Sequence, residues 1–110
     1  MVQITFYKNR QDEYCGFLMV GHADYAEAGQ DVVCAGVSAL AINTVNSIEL
    51  LTEDLFTLDT EESGGRIEFH FKNAAPSHDA ALLMQSLYIG CQGISDSYGV
   101  DYVKIHFKEV

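Results

Sequence analysis

Apolar residues recur along this chain at two different periods, and the order of the two periods leaves few folds open. Residues 2–8 alternate, with Val2, Ile4 and Phe6 on one side and Gln3, Thr5 and Tyr7 on the other. Such alternation marks a half-buried strand. Asn9-Arg10-Gln11-Asp12-Glu13 follows as a polar turn. Residues 14–21 form a second, more uniformly apolar strand that suits the centre of a sheet, and the two strands make a hairpin. Residues 66–72 alternate most cleanly: Ile67, Phe69 and Phe71 face in, while Glu68, His70 and Lys72 face out. Residues 55–58 give a short strand before it, and Thr60-Glu61-Glu62-Ser63-Gly64-Gly65 is the turn between them. A last strand over 102–107 turns Val103, Ile105 and Phe107 inward and Lys104, His106 and Lys108 outward.

Two stretches carry the other period. Val33, Val37, Leu40, Ala41, Thr44, Ile48 and Leu51 fall on one helical stripe. Asp31 stands where an N-cap belongs, and this helix is expected to end near Thr52 or Glu53. Pro76-Ser77 opens a second helix with Ser77 as cap, Asp79 in its first turn, and Ala80, Met84, Leu87, Tyr88 and Cys91 as its buried stripe. The order β-β-α-β-β-α-β predicts an α+β fold: a two-layer sandwich, its sheet mostly antiparallel, with both helices on one face. The polar outer sides of the strands leave the other face wet, where a dimer could also form. At 110 residues, 48% of them hydrophobic, the chain reads as one compact domain over 1–110.

Charge narrows the partners. Sixteen Asp and Glu against six Lys and Arg give a net charge of −10, which opposes a nucleic-acid binder and suits a basic partner or substrate. Residues 1–7 lack a basic, then apolar, leader. The longest apolar runs, 17–20 and 32–37, fall short of the roughly 20 residues of a membrane helix. Three cysteines, an odd count with no Cys-x-x-Cys pair, argue against a disulfide framework and for a reducing cytoplasm.

One segment carries chemistry. Residues 21–31, Gly21-His22-Ala23-Asp24-Tyr25-Ala26-Glu27-Ala28-Gly29-Gln30-Asp31, have no period and read as a long loop. With Asp31 as cap, Cys34 is the third helical position. There the helix dipole and unpaired N–H groups would favour its thiolate. A thiolate nucleophile needs an imidazole to protonate the leaving amine, and His22 can supply one if the loop folds back with Gly21 and Gly29 as hinges. A small core thiol and an ordinary loop histidine are the competing readings. Cys15 and Cys91 read as inert core thiols. No His/Cys spacing suggests zinc, and Gly64-Gly65 is a hairpin turn, since no Lys-Ser/Thr follows.

The segments Gly21-His22-Ala23 and Gly29-Gln30-Asp31-Val32-Val33-Cys34-Ala35-Gly36-Val37-Ser38-Ala39-Leu40 resemble the signature of the ribosomal-processing cysteine protease family, Prp. Length, acidity and element order extend the resemblance over essentially the whole chain. It implies a cytoplasmic, homodimeric endopeptidase that needs no cofactor. Its substrate would be a basic protein of the large ribosomal subunit, the twenty-seventh of the bacterial set. The enzyme would remove a short N-terminal extension from it, cutting after an aromatic pair. The match puts the nucleophile on Cys34 and the base on His22, with Gly21, Asp31 and Ser38 on further motif positions. Asp31 then reads either as a cap or as an orienting partner for His22. Ser38, one turn past Cys34, reads either as a substrate or loop contact or as a small packing residue. Gly36 departs from the alanine expected there, at about 1 kcal/mol of helix propensity. Backbone N–H groups near Cys34 are the expected oxyanion donors, and an apolar pocket for the aromatic residues is expected between the loop and the first helix. Two other classes stay open: a non-catalytic acidic module for ribosome assembly, and a thiol redox sensor at Cys34.

Overall fold

The structure, a computed structural model, describes residues 1–21, 28–61, 65–73 and 75–110, and for 28–31 the backbone. Its elements are β1 (Val2–Lys8), β2 (Tyr14–Val20), α1 (Ala28–Leu51), β3 (Phe56–Thr60), β4 (Arg66–Phe71), α2 (His78–Tyr98) and β5 (Val103–Glu109). The strands form a five-stranded sheet in the order β3-β4-β2-β1-β5. β1–β2, β2–β4 and β3–β4 pair antiparallel, and β5 joins β1 in parallel. The element order, the mostly antiparallel sheet and the two-layer arrangement agree with the sequence pattern.

Register follows from aromatic residues. Phe6 stands opposite Phe17 and Phe107, and Phe17 opposite Phe69. Their ring centroids lie 5.8 Å apart for Phe107–Phe6, 6.5 Å for Phe6–Phe17 and 5.4 Å for Phe17–Phe69, and Phe56 continues the row 4.8 Å from Phe69. Cross-strand aromatic pairs are each worth roughly 0.2–1 kcal/mol, and here they tie all five strands together. Phe6, Phe17 and Phe69 are fully buried under Val33, Val37, Ala41 and Ile48 of α1 and Ala80, Met84, Leu87 and Cys91 of α2.

Both helices differ in detail from their patterns. Ser77 caps α2, its hydroxyl accepting from the Ala80 N–H at 3.2 Å. Asp54, just past α1, takes the Ser77 amide at 2.8 Å and the Ser77 hydroxyl, so one carboxylate ties the end of one helix to the start of the other. Burial would push the Asp54 carboxyl up, but the bonds from Ser77, with those of Thr52 and its own amide, outweigh it and hold it below its usual range. Ser95 is buried on the stripe of α2, donating to the Val103 carbonyl, while Tyr88 packs at the margin.

Helix α1 starts at Ala28, four residues before the expected start at Val32, and ends at Leu51. Asp31 is therefore its fourth residue and not its cap, and Gly29 lies inside it and is no hinge. Val45 joins the buried stripe, while Leu51 is exposed. The expectation that no segment is long and apolar enough for a membrane span is also overturned. Val32–Leu51 passes that test with a mean hydropathy of 1.4, yet it packs over the sheet and against α2 as the core helix. Phe107 is the other correction. Its alternation points it inward, but β5 is an edge strand and the ring stays 50% exposed.

The outer sheet face has an organised centre. Gly16 on β2 pairs with Tyr7 on one side and His70 on the other, and these two rings stack across it at 5.2 Å. His70, on the outward side as expected, also bonds Glu68 at 2.9 Å. A Cβ on Gly16 would sit 2.2 Å from the Phe69 carbonyl oxygen. That is backbone, which cannot turn aside. Gly16→Ala is therefore expected to cost about 1–3 kcal/mol, more than the roughly 1 kcal/mol of losing the α2 cap in Ser77→Ala. Urea unfolding of the two variants checks the order.

Candidate active site

Cys34 is the seventh residue of α1, half-buried, and rests against the core. This corrects its expected place in the first turn. The helix repeat takes the Cys34 N–H to the carbonyl four residues back, so it is no free oxyanion donor. The dipole's influence fades within the first turn. Ser38 follows one turn later, also half-buried.

The sides of α1 have distinct neighbours. Gly36 and Leu40 face α2: a Cβ on Gly36 would lie 3.4 Å from the Ile94 Cδ1, and one on Gly90 would lie 2.9 Å from the Leu40 Cδ1. An alanine at 36 would thus just touch Ile94. Ser38, Ile42 and Val45 lie on the opposite flank and line a cavity of about 330 Å³ with Asn46 and with Leu58, Thr60, Glu61, Arg66 and Ile67 of the β3–β4 side. This cavity lies between α1 and the β3–β4 side; the pocket expected between the loop and the first helix falls on residues 22–27, outside the described residues. Four-residue steps from Cys34 lead through Ser38 to Ile42, and that spacing could have revealed this flank. Ile42 is an apolar residue off the core stripe. Leu58, Thr60 and Arg66 come from a separate part of the chain, and no local pattern links them to Cys34.

Gly21 closes β2 at the same end. Val20 pairs with Arg66, and the Gly21 N–H donates to the Gly65 carbonyl at 3.0 Å. Its φ of 151° lies where side chains are strained, and a Cβ would meet the Met1 carbonyl oxygen at 2.5 Å and the Val2 Cα at 2.7 Å. Only glycine lets the chain leave β2 past the start of β1. The structure thus brings Gly21 and Ser38 to the Arg66 end of the sheet. His22 follows Gly21 directly. It lies outside the described residues, as do residues 22–27 of the expected loop, residues 62–64 of the expected turn, and the Asp31 side chain; residues 28–31 of that loop belong to α1.

Arg66 is committed at the cavity's edge. It bonds Asp59 at 2.9 Å and also pairs with Glu68, and these partners hold its guanidinium above its ordinary pKa. Among the described residues, no group of three His, Cys, Asp or Glu gathers to hold a metal ion. The other two thiols sit in poor settings for reaction. Burial pushes Cys91 up to about 12. Burial, then the Glu13 charge, raises Cys15, whose Sγ lies 3.6 Å from the Glu13 carbonyl oxygen.

Comparison with known proteins decides the family. The model for cysteine protease Prp matches residues 1–104. The chain belongs to the cysteine protease Prp family. The ribosomal processing cysteine protease Prp of Staphylococcus aureus is 30% identical over 109 residues, covering 98% of this chain and all of the relative. That of Bacillus subtilis is 34% identical over 101 residues, covering 89% and 90%. Two crystal structures of the Staphylococcus aureus Prp align over 98% of this chain and all of theirs. The one with a substrate peptide has a TM-score of 0.90 at 27% identity. The one with a covalently linked product peptide has 0.87 at 28%. The chain is therefore a cysteine protease, and the non-catalytic assembly module gives way to an enzyme.

In this Prp-family chain Cys34 is the half-buried thiol one helical turn before Ser38, and burial holds the other two thiols above their ordinary range. Iodoacetamide at neutral pH is expected to modify Cys34 first, Cys15 more slowly and Cys91 only after unfolding. Peptide mapping by mass spectrometry reads that order.

Proposed function

We propose that this chain removes the N-terminal extension of a basic protein of the large ribosomal subunit, the twenty-seventh of the bacterial set, by cutting after an aromatic pair. The observation that carries the reading is the whole-chain likeness to a ribosomal processing protease solved with substrate and product peptides. The net charge of −10 supports it, since long-range attraction would gather a basic protein and weaken with added salt. The whole of 1–110 acts as one protease domain, in the cytoplasm, with no cofactor and no nucleic-acid partner.

In the proposed reaction the Cys34 thiolate attacks the carbonyl carbon after the aromatic pair. His22 protonates the leaving amine, and a thioester forms. Water then attacks the thioester with His22 as base, and the Cys34 thiolate leaves beside the imidazolium so formed. The N–H groups of α1 without an intrahelical acceptor belong to its first four residues, 28–31. They are the donors proposed for the oxyanion, in place of those at Cys34. With the cap role removed, Asp31 is assigned to orienting His22, and Ser38 to contact with the peptide. Cys34→Ala is expected to lower cleavage of an aromatic-pair peptide by about 10³-fold or more. Product analysis by mass spectrometry measures it, and normal cleavage by that variant removes the nucleophile from Cys34. Sulfenic acid at Cys34 without peptidase activity would instead mark the redox sensor.

The homodimer is proposed to form through the outer side of α1. Val32, Ala35, Ala39, Ile42 and Asn46 follow one another at three- and four-residue steps, all exposed, with Val32 at 56% and Ile42 at 52%. A helix apolar on every side calls for a second cover, and the two alanines let a second helix approach closely. Ala39→Arg is expected to yield monomers in sedimentation velocity, and a wild-type chain that sediments as a monomer refutes the dimer.

A further inference from the structure

The end of the sheet opposite Arg66 carries a second kind of surface. There the Lys72 N–H donates to the Leu55 carbonyl at 2.8 Å, α1 ends at Leu51 and α2 begins at His78. Leu50 and Leu51 are 80% and 71% exposed, and Leu55 and Leu82 are both 61% exposed. Asp79, one turn before Leu82 on α2, lines a cleft of about 420 Å³ with Leu50, Leu51 and Glu53. A second cleft of about 310 Å³ adjoins the first turns of α2 and is lined by Leu82 with Asp12 and Glu13. Large apolar side chains left open to water beside a shaped hollow mark a contact surface.

The charge around these leucines selects the partner. None of the described residues lining either cleft is Lys or Arg. Asp54 is spent on Ser77, and Lys8 on Asp12. Lys72 stands beyond Leu55, outside both clefts. Glu49 and Glu53 are exposed and hold no ion pair among the described residues. Asp79 has only His78, at 3.4 Å. The last turn of α1 contains no basic residue either, so the negative end of its dipole goes unanswered. A second copy of this face would set carboxylates against carboxylates, and RNA or an anionic bilayer would be repelled in the same way. An apolar centre with an acidic rim fits a protein segment that carries both apolar and cationic side chains.

Distance ties this surface to the reaction. Leu50 lies about 24 Å along α1 from Cys34, and an extended chain covers that span in about seven residues. A longer substrate can therefore occupy the reactive thiol and this surface at once. We propose that the surface docks the basic body of the protein substrate, the part that follows the scissile bond. Leu50, Leu51 and Leu82 seat its apolar side chains, and Glu49, Glu53 and Asp79 pair with its Lys or Arg. The inference rests on the proposed cleavage of a basic ribosomal protein at Cys34. Recognition is then divided: the extension is read at the cut, and the body is held at the far end of α1.

The test compares steady-state cleavage of two substrates. One is the unprocessed twenty-seventh large-subunit protein. The other is an aromatic-pair peptide ending about three residues past the cut, too short to reach Leu50. Glu49→Lys/Glu53→Lys is expected to raise KM for the protein about 10-fold and to leave KM for the peptide within about 2-fold. Leu50→Gln/Leu51→Gln is expected to do the same. Lysine at the end of α1 suits the helix dipole, so the charge variant is expected to unfold at or above the wild-type temperature. In the wild type, added salt is expected to remove most of the protein's advantage over the peptide; in the charge variant little advantage is left to remove. Equal losses for protein and peptide, or wild-type KM for the protein in both double variants, overturn the docking surface while leaving the nucleophile in place. A changed sedimentation coefficient in either variant assigns the face to a contact between copies and overturns it as well. A wild-type enzyme that cuts neither substrate overturns the proposed function, and the docking surface with it.

Discussion

One row of aromatic rings crosses the sheet from edge to edge: Phe107, Phe6, Phe17, Phe69 and Phe56, one from each strand. A slip of one residue in any strand would turn its ring to the wet face and leave a hole in the row. The register is therefore fixed by burial and not by turn geometry. Much follows from that register. It places Gly16 between Tyr7 and His70, where only a residue without a side chain fits. It sets Val20 opposite Arg66, and so decides where the chain leaves β2 at Gly21. It also gives α1 a rigid floor, and the position of α1 sets Ser38 over the β3–β4 side.

Helix α1 carries several demands on one stretch of 24 residues. Val33, Val37, Ala41 and Ile48 meet the sheet, and Gly36 and Leu40 meet α2. Ser38, Ile42 and Val45 line the cavity, and Val32, Ala35 and Ala39 face out. Each demand favours small or apolar residues, which is why the helix reaches the hydropathy of a membrane span while packing as a core element. Composition alone does not separate these cases. The faces do.

Most of the architecture was legible because the chain states it locally. Alternation in β1 and β4, the stripe of α2 and the Ser77 cap each depend on neighbours within a few residues, and each agrees with the structure. The misses have a common origin in tertiary context. Ala28 and Gly29 carry no apolar period, and Gly29 has poor helix propensity, so the start of α1 was invisible to pattern. Phe107 alternates correctly but lies on an edge strand where cover runs out. The cavity joins α1 to β3 and β4, and no single stretch records that meeting. At the candidate site the motif named Cys34, His22 and Asp31 in sequence. The structure positions Cys34, Ser38 and Gly21, and it removes the cap role from Asp31.

The longer helix changes the electrostatics of the proposed reaction. With α1 starting at Ala28, Cys34 lies about 9 Å along the axis from the helix start, beyond the turn in which the dipole is felt. Its own N–H and those around it belong to the helix ladder. A thiolate at Cys34 then has to draw its stabilisation from a charged partner, and in the proposed mechanism that partner is the His22 imidazolium. Nucleophile and acid become one ion pair, in which each charge depends on the other. An orienting carboxylate at Asp31 fits this arrangement better than a cap would. In the proposed mechanism it would hydrogen-bond the imidazole and favour its protonated form. In that proposed mechanism the reactivity of Cys34 would depend on His22 more than on the helix that carries the thiol.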